Sequence, residues 1–391
     1  MIIVKTLSGL EEILAGEIRA LNAKNIQILK RAVSCDGDNE LIYKINYLCR
    51  TALRVLKTIA EFPAENEDML YQEVKNIEWD GIINLKQTFA VDCFTANSNI
   101  THSYYAALKT KDAIADYFVA KHGKRPSVDI KNPHIQINVH IVNNQCTLSL
   151  DSSGDSLHKR GYRQTGGLAP LNEVLAAGLI FLSGWDRKTT FLDPFCGSGT
   201  LLMEAAMMAQ NIPAGYYRRS YCFENWPDYD KELWGNIKNE ALGMIRETEV
   251  QIIGADWSPE ALKTAKINIR HARLHKDIIL LNQSFERLPP PSDSGVIIAN
   301  PPYGERIEHR DITSLYKMIG DVLKEKYNNW NAWIISSDQQ AVKLIGLRPS
   351  EKYDVFNGKI PCKFAKFEVY EGSRKTKKSF PKKSETRKNQ N

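Results

Sequence analysis

Two short segments hold residues whose types and spacing suit chemistry on a bound small molecule: Asp193-Pro-Phe-Cys-Gly-Ser-Gly-Thr200 and Asn300-Pro-Pro-Tyr303. In the first, Gly197 and Gly199 let backbone approach a ligand closely and take conformations barred to other residues. A dinucleotide fingerprint wants another glycine three positions after Gly199, where Leu202 stands, and no Gly-Lys-Ser/Thr follows to make a phosphate loop. The loop therefore reads as a nucleoside-binding turn, with Asp193, Phe195, Cys196, Gly197, Ser198, Gly199 and Thr200 as candidate contacts. An acid, Asp256, follows about 60 residues later, further than the roughly 20 of a dinucleotide fold. The insert 211–249 accounts for the extra length. A carboxylate there can accept from both hydroxyls of a ribose, or cap the next helix. Ser258 and Pro259 suit the cap better and leave Asp256, with Trp257 beside it, for a ligand.

In the second segment Asn300 follows the apolar run 296–299, and Pro301 and Pro302 stiffen the backbone. The exocyclic amine of a base is a poor nucleophile because its lone pair is delocalised into the ring. The Asn300 side-chain oxygen and the Pro301 carbonyl can each accept one N–H, which turns the lone pair towards a sulfonium methyl. Tyr303 can stack on a base drawn out of its helix. Asn300, Pro301, Pro302 and Tyr303 are the candidate catalytic set; the plainer reading of the same residues is a proline-stiffened turn.

Such residues need a scaffold, and after residue 170 apolar runs alternate with helical periodicity. A helix over Leu171–Leu182 precedes the strand 191–192 and the glycine loop, then the helix Leu201–Gln210. Gln251–Ala255 leads into Pro259–Arg270, and Ile278–Leu281, Gly295–Ala299, Trp333–Ser336 and Lys363–Val369 complete the series. This alternation predicts an α/β fold with a doubly wound, mostly parallel sheet, whose ligands sit beyond the carboxyl ends of the strands. Residues 1–152 hold no active-site constellation and read as α+β. Strands are expected at Ile2–Lys5, Ile26–Arg31, Glu40–Ile45 and Thr88–Thr95, and helices at Gly9–Leu21, Tyr47–Ala60, Met69–Asn76 and Ser103–Val119. A hairpin joins Ile135–Val142 to Gln145–Asp151 about Asn143-Asn144. Residues 153–169, polar and glycine-rich, read as a linker. In the insert 211–249, Trp226 and Trp234 are expected to pack as a helical cover, and Arg218 and Arg219 to shape a substrate pocket.

A chain of 391 residues suggests two or three domains, and 43% hydrophobic with 25% charged content is ordinary for a globular protein. No apolar run approaches the roughly 18–20 residues of a membrane span, and the N-terminus does not read as a signal peptide. Seven scattered cysteines without a Cys-x-x-Cys pair argue against a disulfide framework or zinc ribbon and for the reducing cytoplasm. The eight histidines lack metal-ligand spacing; His271 and His275 read as a solvated helix face, and no metal is expected. Of the formal net charge of +6, residues 373–391 alone carry eight Lys or Arg against one Glu, which leaves the rest near −1. That tail is expected to be disordered, as a solubilising end or an arm that collects phosphates.

With these residues in place, the chain resembles the THUMP-domain class I RNA methyltransferases, in particular the guanine-N2 enzymes of 23S ribosomal RNA. The resemblance rests on Asn46-Tyr-Leu-Cys-Arg-Thr-Ala-Leu-Arg54, the run 151–163, Ala169-Pro-Leu-Asn-Glu-Val-Leu-Ala-Ala177, the glycine loop and Asn300-Pro-Pro-Tyr-Gly-Glu-Arg306. It implies a ferredoxin-like unit over 1–60, a THUMP RNA-binding domain over 61–152, the linker 153–169, a Rossmann-like methyltransferase domain over 170–372 and the tail 373–391. It further implies S-adenosylmethionine (SAM) as cofactor, with Pro170 and Leu171 closing over it and Asn300 touching both cofactor and base. The basic residues Arg50, Arg54, Lys109, Lys111, Lys159, Arg160, Arg163 and Arg306 become candidate contacts to structured RNA. The family's usual acid after the third strand corresponds here to Gln283-Ser284, so Ser284 is a weaker partner for the adenine amine. Larger relatives carry a second methyltransferase domain, so a single activity is expected. Guanine in transfer RNA and N6 of adenine remain alternative targets, and a non-catalytic ribosome assembly factor is the alternative of another class.

Overall fold

The computed structural model describes residues 1–165, 170–302 and 309–369. Tyr303, Arg306 and the tail 373–391 lie outside the described residues.

The first half runs β1 (Ile2–Lys5), α1 (Glu11–Ala20), β2 (Lys24–Leu29), β3 (Ala32–Asp36), α2 (Asn39–Leu48), β4 (Arg54–Pro63), α3 (Glu67–Lys75), β5 (Thr88–Ala96), α4 (Ser103–His122), β6 (Ser127–Val128), β7 (Ile135–Val142) and β8 (Gln145–Asp151). Its strands form one eight-stranded sheet in the order β2-β3-β1-β4-β8-β7-β5-β6. Alternation decides which face is covered: Ile135, Ile137, Val139 and Ile141 of β7 are buried, while Gln136, Asn138 and His140 face the other way. Asn143 and Asn144 turn the β7–β8 hairpin at φ 51° and 58°, the left-handed pair that a two-residue turn requires.

Two expectations fail here. Glu40–Ile45 is helical, not a strand: Asp38 caps α2 by accepting from the Leu41 amide at 3.0 Å, and Leu41, Ile42 and Ile45 fall on one buried stripe. The helix expected over Tyr47–Ala60 ends at Leu48, because Cys49 turns extended and Arg54 onward forms β4 between β1 and β8. Since β4 crosses residue 60, the two N-terminal units share a strand.

The second half runs α5 (Glu173–Leu182), β9 (Thr190–Asp193), α6 (Thr200–Ala209), α7 (Lys231–Gly243), β10 (Ile252–Asp256), α8 (Pro259–His271), β11 (Ile278–Asn282), β12 (Gly295–Ala299), α9 (His309–Lys326), β13 (Trp330–Ser336), α10 (Gln339–Lys343), β14 (Glu351–Asn357) and β15 (Ile360–Glu368). The sheet order is β11-β10-β9-β12-β13-β15-β14, parallel except at β15, which pairs antiparallel with both neighbours. Crossovers run one way from β9 through β10 to β11 and the other way from β12, so the order reverses at β9. A crevice opens at such a reversal, beyond the carboxyl ends of the strands.

The insert after α6 returns to the first half. Trp226 and Trp234 are buried in the N-terminal core, where Trp234 meets Phe223 edge-on at 5.2 Å and Tyr43 stacks on Phe223 at 4.3 Å. The segment expected as a linker is also packed in: Leu157, Arg160 and Tyr162 are buried, and the Ser152 and Ser153 hydroxyls bond to Asn46. Polarity in this stretch reflects buried hydrogen bonding between the halves, so its 153–165 part is a structured connector. Among the described residues, no helix is long and apolar enough to cross a membrane.

Candidate active site

Asp193 ends β9, Asp256 ends β10, and Asn300 follows β12, so the three polar residues meet at the reversal point. Gly197 takes φ +52° and a Cβ there would meet nothing within 4 Å, so the loop presents bare backbone to open space. Its amide donates to Asp256 Oδ2 at 2.9 Å, which fixes the loop against the end of β10. Ser258 does cap α8, accepting from the Ala261 amide at 3.3 Å. Asp256 Oδ1 accepts from the Ser258 amide at 2.9 Å, and Trp257 next to it is 73% exposed. Leu202, at the third-glycine position of a dinucleotide fold, packs into the space left by a different glycine. A Cβ on Gly254 would lie 2.2 Å from Leu202 Cδ1, so close contact between helix and strand is obtained from β10 instead.

Cys196, expected as a cofactor contact, shapes the loop. Its side chain is buried against β10, its amide donates to Ala255 and its carbonyl accepts from Gly199. Phe195 packs edge-on to Phe285 at 5.9 Å, and Ser284 begins the short turn that carries Phe285. Two buried polar groups stand at the ends of β9 and β12. The Asn300 side-chain oxygen is buried with no hydrogen-bond partner among the described residues. Asp193 is buried, accepts from the Phe195 amide at 3.1 Å, and its carboxyl is pushed up to about 8 by burial, with the Asp256 charge adding to the shift. These groups fit a cationic nucleoside cofactor and an amine-bearing base: a carboxyl for an ammonium, bare glycine backbone, and a free acceptor. Among the described residues, no cluster of His, Cys, Asp and Glu is arranged to hold a metal ion.

The expected RNA contacts divide. Arg50 and Arg160 are corrected: both are buried and bonded inside the protein. Arg50 donates to the Ile212 carbonyl at 2.5 Å, and burial pulls its guanidinium down to about 10. Arg160 bonds to the Arg50 and Leu157 carbonyls and pairs with Glu204 at 3.4 Å. Arg163 is mostly enclosed, donating to the Leu171 carbonyl and to Thr200 Oγ1, each at 3.0 Å, and pairing with Glu173. It holds the glycine loop to the segment carrying Pro170 and Leu171. Arg218, expected to shape a substrate pocket, donates to the carbonyls of Ser153, Asp155, Ser156 and Lys159 and folds the connector instead. Lys109 and Lys111 lie on α4, away from the crevice, paired with Asp68 and Asp112. Arg54, ion-paired with Asp151, and Lys159, paired with Asp155, line a separate cleft of about 990 Å³ between the halves.

Sequence reasoning missed Asn268 and Glu204. The fully buried Asn268 side chain accepts from the Gln164 and Thr165 amides and donates to the Ser198 carbonyl, so α8 pins the connector to the glycine loop. An asparagine inside a helix, where its propensity is poor, was the available signal. Glu204, buried in α6 and bonded by Tyr162 at 2.9 Å, gave none.

A seven-stranded sheet in this order, with one reversed strand and its ligand groups gathered at the reversal, is that of a class I methyltransferase, the class that draws its methyl group from SAM. Comparison with known proteins narrows the class. Residues 160–366 match the RMKL-like methyltransferase domain, 64–151 the THUMP domain and 1–56 the RlmL ferredoxin-like domain. The chain belongs to this RMKL-like methyltransferase family. It is 40% identical to a candidate RNA methyltransferase of Synechocystis, over 93% of this chain and 95% of that protein. It is 38% identical to the ribosomal RNA large subunit methyltransferase K/L of Syntrophotalea carbinolica, over 93% of this chain but 53% of that protein, so it spans about half that relative's length. Among solved structures, SMU.472, described as a candidate methyltransferase in complex with SAH, is similar at a TM-score of 0.87 and 28% identity over 95% of this chain and 98% of that one.

Proposed function

We propose that this chain transfers the methyl group of SAM to the exocyclic N2 amine of a guanine in large-subunit ribosomal RNA. The observation that carries the reading is the buried, unpartnered Asn300 side-chain oxygen at the exit of β12. Burying an acceptor without a donor is costly, and an incoming amine N–H removes that cost. SAM supplies an electrophilic methyl on a cationic sulfur. Asn300 accepts one N–H of the base and the Pro301 carbonyl the other, which orients the amine lone pair; Pro302 holds the backbone and Tyr303 stacks on the extruded base. Asp256 and the glycine loop hold the nucleoside part of the cofactor, Trp257 and Ser284 flank its adenine, and Asp193 faces its charged end. The ribosomal target draws support from the likeness to the K/L methyltransferase, and RNA as substrate from the THUMP match.

The test is transfer of labelled methyl from SAM to unmodified 23S RNA and to bulk transfer RNA, followed by nucleoside analysis. N2-methylguanosine in 23S RNA is expected. Label confined to transfer RNA, or found in N6-methyladenosine, overturns the target; SAM binding without turnover on any RNA overturns the enzyme.

A further inference from the structure

The cleft of about 990 Å³ is distinct from the cofactor crevice, although the two adjoin at Pro170 and Leu171. Its walls come from four parts of the chain: strands β4, β5 and β7 at Arg54, Asp92 and Gln136, the loop 130–133, the connector, and the insert 217–225. Seven Lys or Arg line it against three Asp or Glu, so it carries a positive excess. Most of these cations are committed to the fold, Arg218 to four backbone carbonyls and Arg163 to the cofactor loop. Two are not. Lys131 and Arg219, from the loop 130–133 and the insert, are exposed, and neither side chain has an ion pair or hydrogen bond among the described residues. Neighbours in sequence thus have opposite duties, Arg218 as architecture and Arg219 as a free cation.

From the rim at Asp92 and Gln136 the uncovered face of the N-terminal sheet continues outward. Two residues along β5, about 7 Å at the rise of a strand, stands Phe94. Its ring is 53% exposed and lies parallel to that of His140 on β7, with centroids 5.3 Å apart and an interplanar angle of 13°. An exposed phenylalanine backed by a half-buried histidine, beside a basic groove, is an arrangement that tracks a single strand, stacking for bases and cations for phosphates.

We propose that this cleft receives an unpaired segment of the RNA substrate, with Arg219 and Lys131 holding its phosphates and Phe94 stacking one of its bases. The inference rests on the RNA reading above and deepens it, since the strand would be led to the edge of the cofactor crevice. The volume admits a few nucleotides, and the bases of a duplex are already stacked and unavailable to Phe94.

The test measures binding of a labelled single-stranded oligouridylate and of an RNA duplex of equal length to the full chain, across a salt series. Combining Arg219→Glu with Lys131→Glu is expected to weaken oligouridylate binding at low salt. The slope of log affinity against log salt should fall by about 1.4, at about 0.7 per single-strand phosphate contact. Phe94→Ala should cost about tenfold with the slope unchanged. Lys188→Glu, on the exposed turn before β9 at the amino ends of the parallel strands, controls for general electrostatics and should change neither quantity. Unchanged SAM affinity and melting temperature show that the variants are folded. The cleft is overturned if the double variant binds like the parent, if it loses duplex and single strand equally, or if Lys188→Glu does as much harm. Failure of the parent chain to methylate any RNA would overturn the enzymatic reading, with oligouridylate binding still testing the cleft. N2-methylguanosine formed by the double variant at unchanged KM would overturn the cleft alone.

Discussion

The connector and the crevice it leads to are both rich in buried polar groups, and they treat them in opposite ways. In the connector, Arg160 reaches two backbone carbonyls and Glu204, Tyr162 bonds the same carboxylate, and Arg218 serves four carbonyls. Single atoms stay open there, such as Glu204 Oε2, on groups whose other atoms are engaged. At the crevice, the Asn300 oxygen has no partner among the described residues, and Asp193 is buried with no cation among the groups that shift it. Buried polar groups are ordinarily satisfied. The connector's groups hold the two halves together, and the crevice's stand where the strand order reverses and a ligand would bind.

The comparison breaks most readily at the connector. Arg160→Ala leaves the enclosed Glu204 without its cation, and removing one member of a buried pair costs about 3–5 kcal/mol. A drop of that size in unfolding free energy is expected in denaturant titration, with SAM affinity retained wherever the protein is folded. A loss under about 1 kcal/mol would mean that the network is ornamental.

Asn300→Ala should do the reverse. It removes an acceptor that gains nothing in the free protein, so stability should hold or rise slightly, and SAM affinity should stay within about twofold. Transfer should fall by about 10²–10³ or more, the range for losing one preorganised polar group at a reacting centre. Parallel loss of stability and activity would move Asn300 into the structural set.

The same contrast explains what was legible beforehand. Asp193, Asp256 and Asn300 could be read because each stands at the end of an apolar run, where a parallel sheet gathers ligand groups, and each is flanked by residues that fix its local backbone. Arg50 and Arg160 could not, because a cation's role depends on which carbonyls meet it, and those of Met207 and Ile212 lie more than 150 positions from Arg50 in sequence. Glu40–Ile45 misled because a short stripe of apolar residues suits both periods until the Asp38 cap is seen to start a helix. Polarity in 153–165 suggested solvent, when its partners were buried groups on the first half, on α6 and on α8.

Asp193 gives the crevice a pH dependence. Its carboxyl sits near 8 in the free protein, well above the ordinary 3.8, so it holds a proton at neutral pH. The cationic cofactor favours the ionised form, and binding must then release that proton. SAM affinity should therefore rise with pH by up to about tenfold per unit below 8 and flatten above it. Calorimetry in buffers of different ionisation enthalpy would register the released proton, and Asp193→Asn should abolish both effects. The free protein should also lose stability between about 4 and 8, since across that window the folded state keeps a proton that the unfolded chain has released. A flat affinity profile would mean that the carboxyl does not meet the cofactor.

Arg163 sharpens the comparison because it belongs to both sides. It starts in the connector, yet one of its nitrogens serves the Leu171 carbonyl, Thr200 Oγ1 and Glu173, each at 3.0 Å. Thr200 closes the glycine loop, and Leu171 sits in the segment expected to cover the cofactor, so the guanidinium sets their separation without offering a free charge to RNA. Losing one charge-assisted hydrogen bond is worth about 1.5 kcal/mol, or about tenfold. Arg163→Ala should raise the KM for SAM by about that factor and leave the KM for RNA and the salt dependence of binding unchanged. Arg163→Lys should recover only part, because an ammonium keeps the charge and loses the planar fork. A raised KM for RNA with an unaltered KM for SAM would return Arg163 to the RNA-contacting set, and satisfaction of a buried group would no longer separate architecture from function in this fold.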